Sequence, residues 1–191
     1  MRKLIAALLS LLVVFFTGIG CGGSSAWKVT ESQKPLVSGD GYSIDLPPRW
    51  MVYEEQGVTL LTRHGAPMDL IQLKKIPLNS SLPHTTRAID SLMQVYEVAE
   101  VVVGNLRAAP GIYDLTLKEL SPAQIDGNEG FLVRFSYALE NGMIRNCLFF
   151  GFVSGQWYYE LGYYALEEFY YENSLDSFMK VVKSFALVEN N

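Results

Sequence analysis

The stretch that most limits what this chain can become is Gly130 to Tyr164, which reads as three consecutive strands separated by Asn141-Gly142 and Ser154-Gly155. Asparagine and glycine both tolerate positive φ, so an Asn-Gly pair favours the type I′ turn of a tight hairpin. Side chains alternate across a strand. Phe131, Val133, Phe135 and Tyr137 therefore share one face of the first strand, and Leu132, Arg134, Ser136 and Ala138 the other. The second strand is apolar on both faces, with Cys147 and Phe149 against Ile144, Leu148, Phe150 and Phe152. The third sets Trp157, Tyr159, Leu161 and Tyr163 against Tyr158, Glu160, Gly162 and Tyr164. A strand apolar on both faces belongs inside a sheet that is covered on both sides. The rest of the chain must supply two covering layers.

Two helical stripes are available for that purpose. Ile89, Leu92, Met93, Tyr96, Ala99 and Val103 recur at helical spacing, Ser81 can cap the start and Pro83 fits a first turn. This predicts a helix near 85–100, weakened at its end by Val101 to Val103 and Gly104. Leu175, Phe178, Val181, Val182 and Phe185 predict a second helix near 174–185. Further strands are expected at Tyr42 to Leu46, stopped by Pro47-Pro48, then around Trp50 and Val52, at Val58 to Arg63, at Leu70 to Ile76 and at Tyr113 to Lys118. Asp126-Gly127-Asn128 marks the turn into the three-strand stretch. The expected class is α+β: an antiparallel β-sheet flanked by helices on both faces.

The amino terminus is of a different kind. Arg2 and Lys3 precede an apolar run from Leu4 to Phe16, and small residues lead into Cys21. This is the layout of a secretory signal peptide, and the run is shorter than the about 20 residues a membrane span needs. Gly18-Ile19-Gly20-Cys21 resembles the lipobox of bacterial lipoproteins, with Gly20 as the small residue before the cysteine and Gly18 where that motif usually has leucine. The resemblance implies that Cys21 receives diacylglycerol and becomes the first mature residue. In that family a non-aspartate such as Gly22 directs the protein to the outer membrane. Ser24-Ser25-Ala26 offers another outcome, an ordinary cleavage that would release a protein starting at Trp27. Residues 22–39 are rich in Gly, Ser, Thr and Lys without sustained period, so they read as linker. As flexible chain they would reach about 20–25 Å. The expected organisation is a signal peptide over 1–20, a tether over 21–39 and one domain over 40–188.

Tyr42-Ser-Ile-Asp-Leu-Pro-Pro-Arg-Trp50, then Ile125-Asp-Gly-Asn-Glu-Gly130, then Val181-Val182-Lys183-Ser184-Phe185 are the segments by which residues 40–188 resemble the PsbP-like (DcrB-like) fold family. The resemblance implies an α/β/α sandwich and a buried tryptophan at Trp50. Members of that family bind different partners and share no catalytic residue, so it implies no reaction.

Charge narrows the partner class. Of 15 basic side chains Arg2 and Lys3 leave with the leader, so 13 face 20 acidic ones and the mature chain carries −7. That sign disfavours nucleic acid and electrostatic adhesion to anionic lipid. Two cysteines, Cys21 and Cys147, make no disulfide framework. Cys147 sits mid-strand and reads as a buried, inert thiol. His64 and His84 lie beside turns without a cysteine or carboxylate at ligand spacing, and Asp126 to Glu129 lacks the pattern of a calcium loop. The adjacent pairs Glu54-Glu55 and Glu167-Glu168 point to opposite faces or to a helix start. No catalytic residue, metal site or cofactor is implied. Trp157, Tyr158, Tyr159, Tyr163, Tyr164, Phe169, Tyr170 and Tyr171 crowd one stretch, either as sheet cover or as a partner-binding patch.

The expected function is that of a membrane-anchored periplasmic lipoprotein held by Cys21, a non-enzymatic binding or accessory module for a protein partner. The alternative is a soluble or tethered small-ligand carrier or enzyme using a cleft between sheet and helix.

Overall fold

A computed structural model describes residues 27–30, 35–38 and 40–188. The strands are β1 (Lys28–Val29), β2 (Pro35–Ser38), β3 (Tyr42–Asp45), β4 (Met51–Glu55), β5 (Val58–Thr62), β6 (Asp69–Pro77), β7 (Tyr113–Ile125), β8 (Asn128–Ala138), β9 (Ile144–Ser154), β10 (Trp157–Leu166) and β11 (Ala186–Leu187). Helix α1 (Val95–Arg107) lies between β6 and β7, and α2 (Tyr170–Ser184) between β10 and β11. The fold is mostly antiparallel sheet with these two helices among the described residues. Eight strands run in the order β1-β4-β5-β6-β10-β9-β8-β7, and β11-β3-β2 form a small second sheet.

The three-strand meander forms as its periodicity demands. Phe131, Val133, Phe135, Cys147, Phe149 and Tyr158 enter a core cluster with Val98, Ala99, Val102 and Leu106 of α1. Leu148, Phe150, Phe152, Tyr159, Leu161 and Tyr163 enter a second cluster with Phe178, Val181 and Val182 of α2 and with Trp50. Alternate residues of β9 thus divide between the two helices' clusters. Gly151 lets this happen, because a Cβ there would overlap the Phe131 ring and stand 2.7 Å from the Tyr158 hydroxyl.

The turn types differ from expectation. Both central residues of Asp126-Gly127 have positive φ, 49° and 73°, so the type I′ geometry belongs here. Asn141-Gly142 instead lies in a wider connection, closed by the Gly142 N–H donating to Leu139 O at 2.8 Å and the Leu139 N–H to Met143 O at 2.8 Å.

Helix α1 begins ten residues later than the predicted 85, at Val95, and runs on to Arg107. Side chains upstream compete for the backbone: the Leu92 N–H donates to Asp90 Oδ1 at 2.8 Å and the Arg87 N–H to Thr85 Oγ1 at 3.2 Å. Ser81 pairs with Ala88 as an isolated bridge rather than capping a helix. The helix start is fixed instead by Glu97, whose Oε2 accepts the Gln94 N–H at 2.8 Å. Ile89 is still buried, but Leu92 is 86% and Tyr96 64% exposed, while Val101, Val102 and Val103 are buried inside the helix. Helix α2 starts four residues before the predicted 174.

β1 and β2 fall inside the stretch read as tether. Lys28 and Val29 pair with Val52 and Met51, and Pro35 to Ser38 pair with Asp45 to Tyr42. The folded body therefore takes in residues upstream of the expected start at 40. The signal peptide and Cys21 lie outside the described residues.

Candidate functional site

β7 ends the large sheet, so one of its edges has no strand partner among the described residues. The strand is longer than the predicted Tyr113 to Lys118, passing through Pro122, a residue that an edge tolerates. Leu120 and Pro122 stand opposite Val133 and Phe131 of β8, which places them on the face that α1 covers. Between β7 and the first turn of α1 lies an open groove of about 740 Å³, walled by Val95, Tyr96 and Ala99 on one side and Leu120 to Gln124 on the other. Gly130 and Phe131 form its floor, and Glu129 is its one charged wall residue. Tyr96 and Leu120 are 64% and 45% exposed. A smaller cavity of about 300 Å³ continues from the same floor toward Gly151. An open strand edge offers backbone donors and acceptors to an added strand, and a neighbouring apolar groove takes its side chains. Nothing in these walls supplies an acid–base pair.

A second cluster is polar and buried. Asp69 is fully buried at the start of β6. Its Oδ1 accepts from Thr62 Oγ1 at 2.9 Å, the Arg63 N–H at 3.1 Å and the His64 N–H at 2.9 Å. Its Oδ2 meets His64 Nδ1 at 2.8 Å and accepts from Ser174 Oγ of α2 at 2.9 Å. Burial alone would raise the Asp69 carboxyl. The donors from His64, Thr62 and Ser174 outweigh it and hold the group below its ordinary value. His64 is a surface residue beside a turn, and one side of its ring bonds Asp69 and packs edge-on against Tyr170 of α2 at 5.3 Å. Ser174 donates to Asp69 rather than to His64, so these residues form a structural clamp and not a nucleophile–base relay.

The other candidates take structural or surface places. His84 is exposed, with its N–H donating to Asn105 Oδ1 at 2.8 Å. Cys147 is free and buried, and burial pushes its thiol well above the ordinary value. Glu54-Glu55 and Glu167-Glu168 are exposed. Asp126 Oδ2 accepts the Leu187 N–H at 2.8 Å, tying the turn to β11. Among the described residues no group of three or more His, Cys, Asp or Glu side chains could hold a metal ion. No described helix is long and apolar enough to cross a membrane.

The crowded aromatics resolve mainly into core. Tyr158, Tyr159, Tyr163 and Tyr171 are buried, and the Tyr163 hydroxyl donates to Tyr171 O at 2.8 Å. Trp157 and Phe169 remain exposed. Lys75 Nζ lies 4.4 Å from the Trp157 ring centroid.

Similar architecture recurs in solved structures. Cyanobacterial PsbP (CyanoP) from Synechocystis sp. PCC 6803 superposes with a TM-score of 0.57 at 14% identity, covering 90% of this chain and 98% of that one. The chain has the PsbP-like fold. The Ran-binding protein Mog1p of Saccharomyces cerevisiae matches with a TM-score of 0.54 at 9% identity, over 83% of this chain and 97% of its own. A protein of Bacteroides thetaiotaomicron VPI-5482 gives 0.52 at 12% identity, over 83% of this chain and 50% of that one. No family model and no curated protein sequence matches.

Proposed function

We propose that this protein is a membrane-anchored periplasmic lipoprotein, acting as a non-enzymatic binding or accessory module for a protein partner. The groove between α1 and β7 carries the reading. It is open and apolar, and it combines a strand edge unpaired among the described residues with the exposed Tyr96 and Leu120. Aromatic anchors beside such a groove are the usual energetic centres of protein interfaces. A Ran-binding protein with the same fold lends support. The domain is read as an α/β/α sandwich, a reading supported by the division of β9 side chains between the clusters of α1 and α2.

The anchor is Cys21, after removal of residues 1–20, and Gly22 favours the outer membrane. With β1 drawn into the body, five residues separate Cys21 from Trp27. Even fully extended, so short a segment spans only about 20 Å, which keeps the domain close to its membrane. A photo-crosslinking residue at Tyr96 or Leu120, in intact envelopes, tests the binding role. The reading expects one discrete adduct from both positions and none from Asp176 on α2. No adduct from either groove position, or the same adducts from Asp176, would reject it.

A further inference from the structure

The chain is acidic overall, with 20 acidic against 15 basic side chains, yet its charge is not evenly spread. A cavity of about 610 Å³ gathers Arg49, Arg63, Lys180 and Lys183 around its mouth, with Asp45 as its one carboxylate. These cations come from three separate parts of the chain: the loop after β3, the end of β5 and the last turns of α2. The Lys and Arg ion pairs among the described residues involve Lys74, Arg87 and Arg134, so none of the four is neutralised in that way. Lysines near a helix C-terminus are favoured by its dipole. That explains Lys180 and Lys183 but not Arg49 and Arg63, which lie off the helix.

The site is also held in shape. Arg49 has a left-handed backbone, φ 62°. Its N–H donates to Thr30 O at 2.9 Å, the Trp50 N–H donates to Thr30 Oγ1 at 3.0 Å, and Thr30 Oγ1 donates to Pro47 O at 2.7 Å. Across the cavity the Asp45 N–H donates to Ser184 Oγ at 2.9 Å, fixing the loop to α2. Ser177, Lys180 and Ser184 recur at helical spacing and line one wall, and Leu46, Pro47 and Trp50 give an apolar flank.

We infer that this cavity binds a phosphate-bearing ligand. Two guanidinium forks and two ammonium groups suit an oxyanion with several acceptor oxygens, and arginine matches phosphate in bidentate fashion. The apolar flank suits a phosphate carrying an organic substituent. That chemistry is found on an anionic phospholipid headgroup and on a soluble phosphorylated compound. Thr30, which bonds the cavity's own loop, stands nine residues after Cys21, so with the proposed anchor a bilayer headgroup is within reach, whereas binding of a soluble phosphorylated compound does not depend on that anchor.

Lysine acetylation of the full chain, read by mass spectrometry, tests this. The first arm adds inorganic phosphate to the protein in neutral detergent, against sodium chloride of equal ionic strength. The second compares phosphatidylcholine vesicles with vesicles also containing phosphatidylglycerol. Acetylation of Lys180 and Lys183 is expected to slow several-fold relative to Lys118, and the double variant Arg49→Ala/Arg63→Ala to lose most of that protection. Protection by free phosphate identifies a soluble ligand class, and protection only by anionic vesicles identifies a headgroup; either supports the site. Unchanged rates in both arms, or equal protection by phosphatidylcholine alone, would overturn it.

Discussion

Replacing Asp69 by alanine should be the most damaging single polar change in this fold. The carboxylate is fully buried and takes five hydrogen bonds, two of them from the backbone N–H groups of Arg63 and His64. The hydroxyls of Thr62 and Ser174 can rotate toward other acceptors, and the Thr62 hydroxyl already reaches Asp69 O at 2.7 Å. The two N–H groups cannot. Hydrogen bonds to a charged acceptor contribute about 1.5–3 kcal/mol each, without strict additivity. Breaking a buried charged cluster by removing one member costs about 3–5 kcal/mol, which at about 2–4 °C per kcal/mol lowers Tm by about 10 °C. Asp69→Asn keeps one acceptor oxygen and should lose only about 1–2 kcal/mol. Urea and thermal denaturation followed by circular dichroism give both numbers. The pH dependence supplies a second check with a fixed sign. The folded carboxyl titrates below its ordinary value, so its contribution is complete above about pH 4 and is lost as the pH falls through the folded value. Asp69→Asn should flatten that acid limb. A loss below about 1 kcal/mol for Asp69→Ala, or an unchanged acid limb in Asp69→Asn, would refute the clamp.

Three further outcomes follow from the packing. Trp50, 1% exposed, should cost about 3–5 kcal/mol as alanine, measured by urea denaturation. Gly151→Ala should destabilise by about 1–3 kcal/mol or more, since the added methyl meets Phe131 and Tyr158 inside their contact distance; a stable, unshifted melt would contradict the packing of β9. Cys147 should resist maleimide in the native protein and react once urea unfolds it, because burial both shields the thiol and raises its pKa.

The parts legible in the sequence are those written in local periodicity. The three strands between Gly130 and Tyr164 follow from alternation and form where it places them, and Trp50 is buried as its place after a proline-terminated strand and the PsbP-like resemblance together imply. The start of α1 was obscured because Thr85 and Asp90 capture backbone N–H groups within an apparently helical stripe. Asp126-Gly127 and Asn141-Gly142 look alike as dipeptides, but only the first joins strands in direct two-residue register. The Asp69 clamp was not legible, since Ser174 stands 105 residues from its acceptor. The α1–β7 groove needed the length of β7 and the true start of α1. Scattered cations in an acidic chain gave no sign that Arg49, Arg63, Lys180 and Lys183 would share one cavity.

The proposed accessory role at the envelope requires the domain to work while tethered, and the chemistry of the mature amino terminus tests that most directly. Intact-mass and peptide mass spectrometry of the protein extracted from envelopes should find chains beginning at Cys21. They should carry thioether-linked diacylglycerol and an amide-linked acyl chain, two or three chains being what firm anchoring requires. Cys21→Ser should lose that mass and move the protein out of the detergent phase. A mature chain that begins at Trp27 with no lipid would contradict the tether and describe a released domain instead.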